Sequence, residues 1–577
     1  MQICKGFIAR VIGTSVFLMA LGACERDSDV TTRPRPGESS RSSAAGSGEL
    51  RPGEAIFSEI AEEVPAYAGH FYENGWLVAY VADSTQFGRA RAAVQARLAS
   101  GRLGVPFMIH GVVTRMASYS FHQLSNWRDV IEEQFGGRIT GFLTLDLDEA
   151  HNRVTIGVAA GQESVVEKDL MQRAVALGVP AEAIRFESQS PVRRTAGSAR
   201  GRFSYPSTLQ SHADSLIGGI QIGYVTSGGP ESLCTAGLMA QLSDGSRAMI
   251  TASHCSGTQW GYDGTNTQYY QPDNQYSAIG TEGYDPSPGT CPWYLGCSTY
   301  RYSDANIVRV TTSNWRRGVV ARPAARVTNQ SGTTNLNTTS PYLYVIGTAD
   351  SPIQDMPIEK IGRTTGWTYG NVTNTCVDYW EAFYSRLTRC AYKTSMYNDH
   401  GDSGSPVFVY DGYDGITVYG ILFAESDNRT SGWFSKWPYV VSELTGGITT
   451  SLNVLTDVTL SGAPAFTSAG MVGTSPTFAW STVTATNSSA ATTYQVMRST
   501  WNPWTQTWME VNYWVTNTTS TSFTDTSTPE TVWAYDGGTQ PASCMEYVRY
   551  IIRAYNAPLS ATSSAIYYEG DSNGQCQ

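Results

Sequence analysis

The chain has 577 residues, of which 15% are charged, and its formal net charge is −11 at neutral pH. This length exceeds what one hydrophobic core normally serves, so we expect two to four domains. The acidic balance argues against a nucleic-acid-binding protein, which would carry a basic stretch.

The N-terminus predicts export from a bacterial cell. Residues 1–23 have the form of a signal peptide, because a basic flank precedes an apolar run, Val11 to Leu21, that is too short for a membrane span. The sequence Leu21-Gly22-Ala23-Cys24 matches a bacterial lipobox, which makes Cys24 a candidate for lipidation and membrane attachment. An ordinary signal peptide with a chance cysteine is the alternative. We expect either a secreted protein or a lipoprotein of the cell envelope.

A change in composition at residue 54 marks the first folded domain. Residues 24–53 are rich in Arg, Ser, Pro and Gly, which predicts a disordered tether. Residues 54–190 contain periodic apolar segments and predict an α+β domain without cysteines. Its expected elements are strands at 75–82 and 105–113, helices at 84–98, at 120–134 and from 162, and a hairpin formed by 138–147 and 153–158.

Residues 191–213 form a polar, basic linker that contains Arg193, Arg194, Arg200 and Arg202. Such a segment is accessible, so it is a candidate processing site, although a simple solvated connector fits the same composition. Residues 214–457 alternate short apolar runs with Gly, Asn, Asp and Ser turns. This pattern is typical of antiparallel barrels, and the length suits two barrels with a cleft between them.

The segment Asp399 to Pro406 has the form of a sharp turn that presents a hydroxyl, that of Ser403. Gly401 can adopt backbone angles that are closed to other residues, which would let its N–H point at an oxyanion beside the N–H of Ser403. Asp402 is too close in sequence to serve as the base, so we expect a buried ion pair that holds the loop. A surface turn rich in Gly and Ser is the alternative.

Two upstream residues supply the partners that a nucleophilic serine needs. His254 follows an apolar strand end and precedes Cys255, and its imidazole is suited to general-base chemistry. Asp304 begins a β-branched strand and could orient that imidazole. Taken singly, a structural histidine and a turn aspartate are common. The order His254, Asp304, Ser403 is that of chymotrypsin, and differs from subtilisin and the α/β-hydrolases.

These motifs resemble the trypsin/chymotrypsin-like serine endopeptidases, nearest to the bacterial alpha-lytic and streptogrisin-type proteases. The resemblance covers about residues 214–457. It also includes Leu216 to Ile220, which is similar to the start of a mature protease, Ser232 to Gly237, and Gly362 to Trp367. It implies a chymotrypsin-like double antiparallel β-barrel, a protein or peptide substrate, and catalysis without a metal or cofactor.

The resemblance also implies further site residues. The strand Val418 to Glu425 would pair with the substrate backbone, so Phe423, Ala424 and Glu425 are candidate substrate-binding residues. Tyr397 and Asn398 fall at the base of the primary specificity pocket by counting back from Ser403. The cation expected beside Asp402 is Lys360 or Arg363, and both could equally be surface charges. The preceding α+β domain would be a pro-region that assists folding or blocks the cleft, while an independent module is the alternative.

Eight cysteines remain after Cys4 and Cys24, an even number that predicts a disulfide framework in an exported chain. Proximity and the resemblance together suggest a Cys234–Cys255 bridge. Proximity alone suggests Cys291–Cys297, Cys376–Cys390 and Cys544–Cys576. A metal site is the rival, but no Cys-x-x-Cys pair or histidine cluster supports it.

Residues 458–577 are rich in Thr and Ser and carry alternating strand patterns, for example Pro476 to Ser481 and Tyr550 to Asn556. They resemble a fibronectin type III-like β-sandwich, for which binding or spacing is the expected role. Two functions stay open for the whole chain: an active serine endopeptidase, or an inactive relative that acts as an adhesin or scaffold. Retention of His254, Asp304, Ser403 and Gly401 favours the enzyme.

Overall fold

The structure is a computed structural model. It describes residues 54–571 apart from 101, 104–108, 191, 194–196, 199–206, 226–228, 230, 265–266, 351, 382–384, 413, 457–458, 473–474, 487–491, 503–506, 527–544, 557–558 and 563–565. The predicted signal peptide, tether and lipidation site at Cys24 lie outside these residues, as do Cys544 and Cys576. No helix in the described part of the chain is long and apolar enough to cross a membrane.

The described residues are mainly β, as predicted. The α-helices are Ala55–Glu63 (α1), Phe87–Ala99 (α2), Phe121–Phe135 (α3), Glu163–Ala176 (α4) and Trp437–Thr445 (α5). The strands of the N-terminal region and the linker are Tyr67–Glu73 (β1), Trp76–Val81 (β2), Gly111–Met116 (β3), Phe142–Asp148 (β4), Arg153–Ala159 (β5), Ile184–Gln189 (β6), Val192–Arg193 (β7) and Gly197–Ser198 (β8).

The central region contains twenty further strands among the described residues. The first ten are Leu216–Gly218 (β9), Gln221–Val225 (β10), Ser232–Thr235 (β11), Leu238–Leu242 (β12), Arg247–Thr251 (β13), Gln268–Tyr270 (β14), Ala278–Tyr284 (β15), Gly289–Thr290 (β16), Thr299–Arg301 (β17) and Asn306–Val310 (β18). The next ten are Trp315–Ala321 (β19), Arg326–Thr328 (β20), Tyr342–Thr348 (β21), Pro357–Gly362 (β22), Gly366–Glu381 (β23), Arg386–Thr394 (β24), Pro406–Tyr410 (β25), Gly415–Ser426 (β26), Gly432–Lys436 (β27) and Leu452–Asn453 (β28).

The C-terminal region forms separate small sheets. Its strands are Thr459–Leu460 (β29), Phe466–Val472 (β30), Ser475–Trp480 (β31), Ala485–Thr486 (β32), Thr493–Asn502 (β33), Thr507–Thr518 (β34), Ser522–Thr524 (β35), Met545–Asn556 (β36), Leu559–Thr562 (β37) and Ile566–Asp571 (β38). They bury a core of their own, with Phe478, Trp480, Tyr494 and Tyr550 among its residues. Strands lie at both segments for which the sequence predicts them, 476–481 and 550–556.

Local signals explain the N-terminal helices. The helix α3 begins at a capping box, in which the Ser120 hydroxyl accepts from the N–H of Gln123 and the Gln123 side chain accepts from the N–H of Ser120. The helix α4 ends just before Gly178, which has a φ of +87° and so occupies a conformation that favours glycine. The helices predicted at 84–98, at 120–134 and from 162 are therefore confirmed, and so is the hairpin β4–β5.

Two large sheets hold the central region. One has nine strands in the order β28-β12-β13-β18-β15-β14-β10-β11-β8. The other is organised on β24-β27-β26-β25-β22-β23 and extends into the N-terminal region, because β23 pairs with β4 through Tyr379 opposite Thr144. The N-terminal strands β4, β5 and β6 thus continue the sheet that carries β25. Their apolar side chains share one core with Trp380, Leu387 and Tyr392 of the central region.

Candidate active site

The two large sheets contribute different parts of the candidate site. His254 lies three residues after β13 and Asp304 two residues before β18, and these strands are neighbours in the nine-stranded sheet. Ser403 lies in the turn before β25 of the other sheet. A backbone hydrogen bond from the N–H of Thr235 to the carbonyl of Ser403, 2.9 Å long, ties the two parts together.

The imidazole of His254 is held by Asp304. Its Nδ1 lies 3.2 Å from Oδ1 of Asp304, which also accepts the backbone N–H of His254 at 3.1 Å. Because a carboxylate only accepts hydrogen bonds, this contact makes Nδ1 the protonated nitrogen and leaves Nε2 as an acceptor. Nε2 is buried and has no hydrogen-bond partner among the described residues. A buried acceptor without a partner is the state that a general base needs before it takes a proton.

Two residues that sequence reasoning missed support Asp304. The Ser435 hydroxyl accepts from the N–H of Asp304 at 2.8 Å, and the indole N–H of Trp260 donates to Oδ2 of Asp304 at 3.4 Å. Both lie far from Asp304 in the sequence, so no local pattern marks them. With all three side chains buried or nearly so, the carboxylate has a fixed orientation toward His254.

The turn that carries Ser403 depends on Gly401. This residue has a φ of +93°, and a Cβ built there would lie 2.5 Å from Nη1 of Arg363, so a side chain would be both strained and crowded. Its carbonyl accepts the Thr235 hydroxyl at 2.8 Å. Among the described residues, neither the N–H of Gly401 nor that of Ser403 donates a hydrogen bond. Two such donors side by side can bind an oxyanion.

Asp402 anchors the turn through a buried network. Its carboxylate lies 2.8 Å from Nζ of Lys360 and accepts the backbone N–H groups of Thr364 and Thr365 at 2.9 and 3.1 Å. Of the two cations suggested by the sequence, the structure therefore selects Lys360. Arg363 instead donates to the side-chain oxygen of Gln221 at 2.7 Å.

The environment of this pair shifts both pKa values. Burial alone would raise the pKa of the Asp402 carboxyl, but attraction and a hydrogen bond from Lys360 outweigh it, so that pKa lies below its ordinary value. Burial lowers the pKa of Lys360, and the negative charge of Asp402 offsets part of this effect. Because Asp402 directly precedes Ser403 in the sequence, this buried ion pair fixes the backbone next to Ser403.

The candidate substrate-binding residues have different environments. Phe423 is completely buried in the main core of the central region, and Ala424 is nearly so. Glu425 contacts Nδ1 of His400 through Oε1. Asn398 is fully buried, donates to the carbonyl of Met396 at 2.7 Å, and has an Oδ1 atom without a partner among the described residues.

Tyr397 is half-buried, and its carbonyl accepts the Thr368 hydroxyl at 2.8 Å.

The structure pairs Cys234 with Cys255, Cys291 with Cys297, and Cys376 with Cys390, as the sequence suggested. The first of these bridges joins β11 to the residue that follows His254.

Comparison with known proteins gives distant likenesses. No protein-family model matches the chain, and no curated protein sequence matches it. The solved structure of Thermobifida fusca protease A is 17% identical over 42% of this chain and 99% of that chain, with a TM-score of 0.29. The Nocardiopsis protease is 21% identical over 40% and 96%, with a TM-score of 0.27. Cellulomonas bogoriensis chymotrypsin is 18% identical over 42% and 99%, with a TM-score of 0.27. Each alignment covers less than half of this chain.

Proposed function

We propose that this chain is an exported serine endopeptidase that cleaves protein substrates through an acyl-enzyme. The observation that carries the proposal is the state of His254. Its Nδ1 is fixed on Asp304, while its buried Nε2 has no partner in the described part of the chain. Support for Ser403 as the nucleophile comes from the bond between the N–H of Thr235 and the carbonyl of Ser403, because Thr235 follows Cys234, which is bridged to the residue after His254.

The chemistry follows from these groups. The oxygen of Ser403 attacks the carbonyl carbon of a peptide bond while Nε2 of His254 takes the hydroxyl proton. The oxyanion binds to the N–H groups of Gly401 and Ser403, each worth roughly 3 kcal/mol of the barrier. His254 then gives its proton to the departing amine. A water molecule attacks the ester, again through His254, and releases the acid and free Ser403.

The linker supports a zymogen arrangement. Its strand β7 pairs with Glu425 and Ser426 of β26, and its strand β8 pairs with Leu233 and Ser232 of β11. These partners belong to the two different sheets that supply Ser403 and His254, so the two short strands of the linker pair with one sheet each. In this proposal the N-terminal α+β domain and the linker block the cleft until the linker is cut. The chain would be exported through its signal peptide, with Cys24 as a lipid attachment point until that cut.

The test is peptide-bond hydrolysis by the purified chain and its Ser403→Ala variant, both with a cut linker, measured on a protein substrate and by mass spectrometry of the products. Ser442→Ala serves as the matched control, since Ser442 is exposed on α5 of the same region. The proposal expects turnover by the wild type and by Ser442→Ala, and none by Ser403→Ala. The alternative function, an inactive adhesin or scaffold, expects no turnover by any of the three after the linker has been cut.

A further inference from the structure

A charged pocket lies beside the turn that carries Ser403. It has a volume of about 160 Å³ and is lined by His400, Glu425, Ser426, Asp427 and Arg429. Arg429 is already engaged, because its Nε lies 3.1 Å from Oδ1 of Asp399. The surrounding group therefore holds three carboxylates and one guanidinium, so its net charge is negative, and Nδ1 of His400 contacts one of the carboxylates, that of Glu425.

The strand register shows what a bound peptide would place there. In the pairing of β7 with β26, residue 193 lies directly opposite Glu425 and residue 192 opposite Ser426. Side chains that are directly opposed in an antiparallel pair project from the same face of the sheet, about 5 Å apart at Cβ. A peptide that pairs with β26 in this register therefore places the side chain of the residue opposite Glu425 next to the Glu425 side chain. In the chain's own linker that residue is an arginine, Arg193.

The same register gives the direction of the bound chain. From Glu425 the strand leads back to Leu422, whose carbonyl accepts the N–H of Gly404 and whose N–H donates to the carbonyl of Ser405. An antiparallel partner therefore runs from Glu425 toward the turn of Ser403. The residue opposite Glu425 thus belongs to the acyl side of the cleaved bond, a few residues before it.

We propose that Glu425 is a specificity-determining residue that selects a basic side chain, Arg or Lys, at the substrate position paired with it. This inference rests on the proposed peptidase function and adds a substrate class to it. A guanidinium can bind a carboxylate with two parallel hydrogen bonds, and such charge-assisted bonds are stronger than neutral ones. The net negative charge around the pocket disfavours an acidic side chain at the same position.

The experiment uses the active enzyme and a synthetic peptide with the sequence of residues 187–201. Variants of the peptide carry Arg193→Gln, Arg193→Glu or Arg193→Lys, and Arg194→Gln is the matched control. Neighbouring residues of a strand project to opposite faces, so the control removes an equal charge from the other face. The readout is kcat/KM, with the cleaved bond checked by mass spectrometry.

We expect Arg193→Gln to lower kcat/KM about tenfold, the effect of one charge-assisted hydrogen bond. Arg193→Glu should lower it further, and Arg193→Lys should retain most of it. The enzyme variant Glu425→Gln should lose the preference for Arg193 over Gln, while its response to Arg194→Gln stays that of the wild type. If Glu425→Gln does not fold, the kcat/KM values of the peptide series on the wild-type enzyme still test whether a basic side chain is preferred at position 193.

Equal cleavage of the Arg193, Gln and Glu peptides by the wild type overturns the inference and leaves the peptidase function standing. A preference for the Glu peptide overturns it too, and would assign selection to Arg429 and His400. An equal effect of Arg193→Gln and Arg194→Gln means that charge alone matters, which also overturns it. If the wild type cleaves neither these peptides nor any protein substrate, the proposed function itself fails.

Discussion

The Lys360 ammonium lies 2.8 Å from the Asp402 carboxylate, and both side chains are completely buried. We expect Lys360→Met to destabilise the chain by roughly 3–5 kcal/mol, because it leaves a buried carboxylate without its cation. The free energy of unfolding in urea measures this. Arg309→Met is the control: its pair with Asp244 is 3.6 Å long and exposed, so the loss should stay below about 1 kcal/mol.

The direction of the Asp402 pKa shift determines how the loss of stability in Lys360→Met depends on pH. Since the pKa of Asp402 is lowered in the folded chain, its stabilising contribution is present above the ordinary carboxyl range near 4 and disappears as the pH falls through the lower folded value. The difference between wild type and Lys360→Met should therefore shrink in acid. A difference that is as large at pH 2 as at pH 7 would contradict this assignment.

A second prediction concerns the orientation of His254. Asp304→Asn should lower kcat by roughly four orders of magnitude near neutral pH, by analogy with the known triad case, because an amide can donate to Nδ1 and so favour the wrong tautomer. Trp260→Phe removes the 3.4 Å bond to Oδ2 of Asp304 but keeps an aromatic ring beside Arg301 and Arg386, so we expect a loss below about tenfold. Steady-state kinetics on one peptide substrate would rank the two variants. An Asp304→Asn enzyme with near-normal kcat would be incompatible with this role.

A third prediction locates the processing site. The paired segments β7 and β8 end and begin at Arg193 and Gly197, on the two sheets that supply the site. We expect the first cut to fall between these two residues, because they pair with β26 and β11, strands of the two sheets that supply Ser403 and His254. N-terminal sequencing of the earliest product identifies it, with Ser403→Ala as the uncut control. A first cut near Ile217 would contradict this prediction.

A fourth prediction concerns the contact between the N-terminal region and β23. Asp146 and Glu149 are buried there, and their partners are neutral: Oδ2 of Asp146 accepts the Asn374 amide at 2.8 Å, and Glu149 accepts the Thr375 hydroxyl at 2.9 Å. Burial raises the pKa of both carboxyls well above their ordinary values, and the nearby Asp148 adds to the effect.

Because the pKa values of Asp146 and Glu149 are raised, we expect the contact between the N-terminal region and β23 to weaken as the pH rises. A carboxyl whose pKa is raised in the docked state contributes fully below its free value near 4, and the contribution is lost as the pH rises through the docked value. Hydrogen exchange of the β23 amides can be measured at pH 5 and at pH 8 in the uncut Ser403→Ala protein. The increase in their exchange rate between these two pH values should be larger than the increase in the intrinsic exchange rate. Asp146→Asn should reduce this pH effect, whereas Asp169→Asn, at an exposed pair on α4, should not. An unchanged profile in Asp146→Asn would refute the role of this carboxyl.

The sequence predicts those features that depend on local patterns. Helices α2, α3 and α4 follow from apolar periodicity and from end signals such as Gly178, and the residue order His254, Asp304, Ser403 pointed to one site. Contacts between distant segments were not predictable in this way. The pairing of β4 with β23, the choice of Lys360 over Arg363, and the support of Asp304 by Trp260 and Ser435 depend on the folded topology.

The measurement that tests the central claim most directly is covalent labelling by a fluorophosphonate probe, which reacts with serines activated by a general base. Wild-type enzyme with a cut linker should take up one equivalent, and peptide mapping should place it on Ser403. His254→Ala and Ser403→Ala should show no uptake, while Ser442→Ala should label like the wild type. Folded wild-type enzyme that takes up no probe, or equal uptake by Ser403→Ala, would contradict the account.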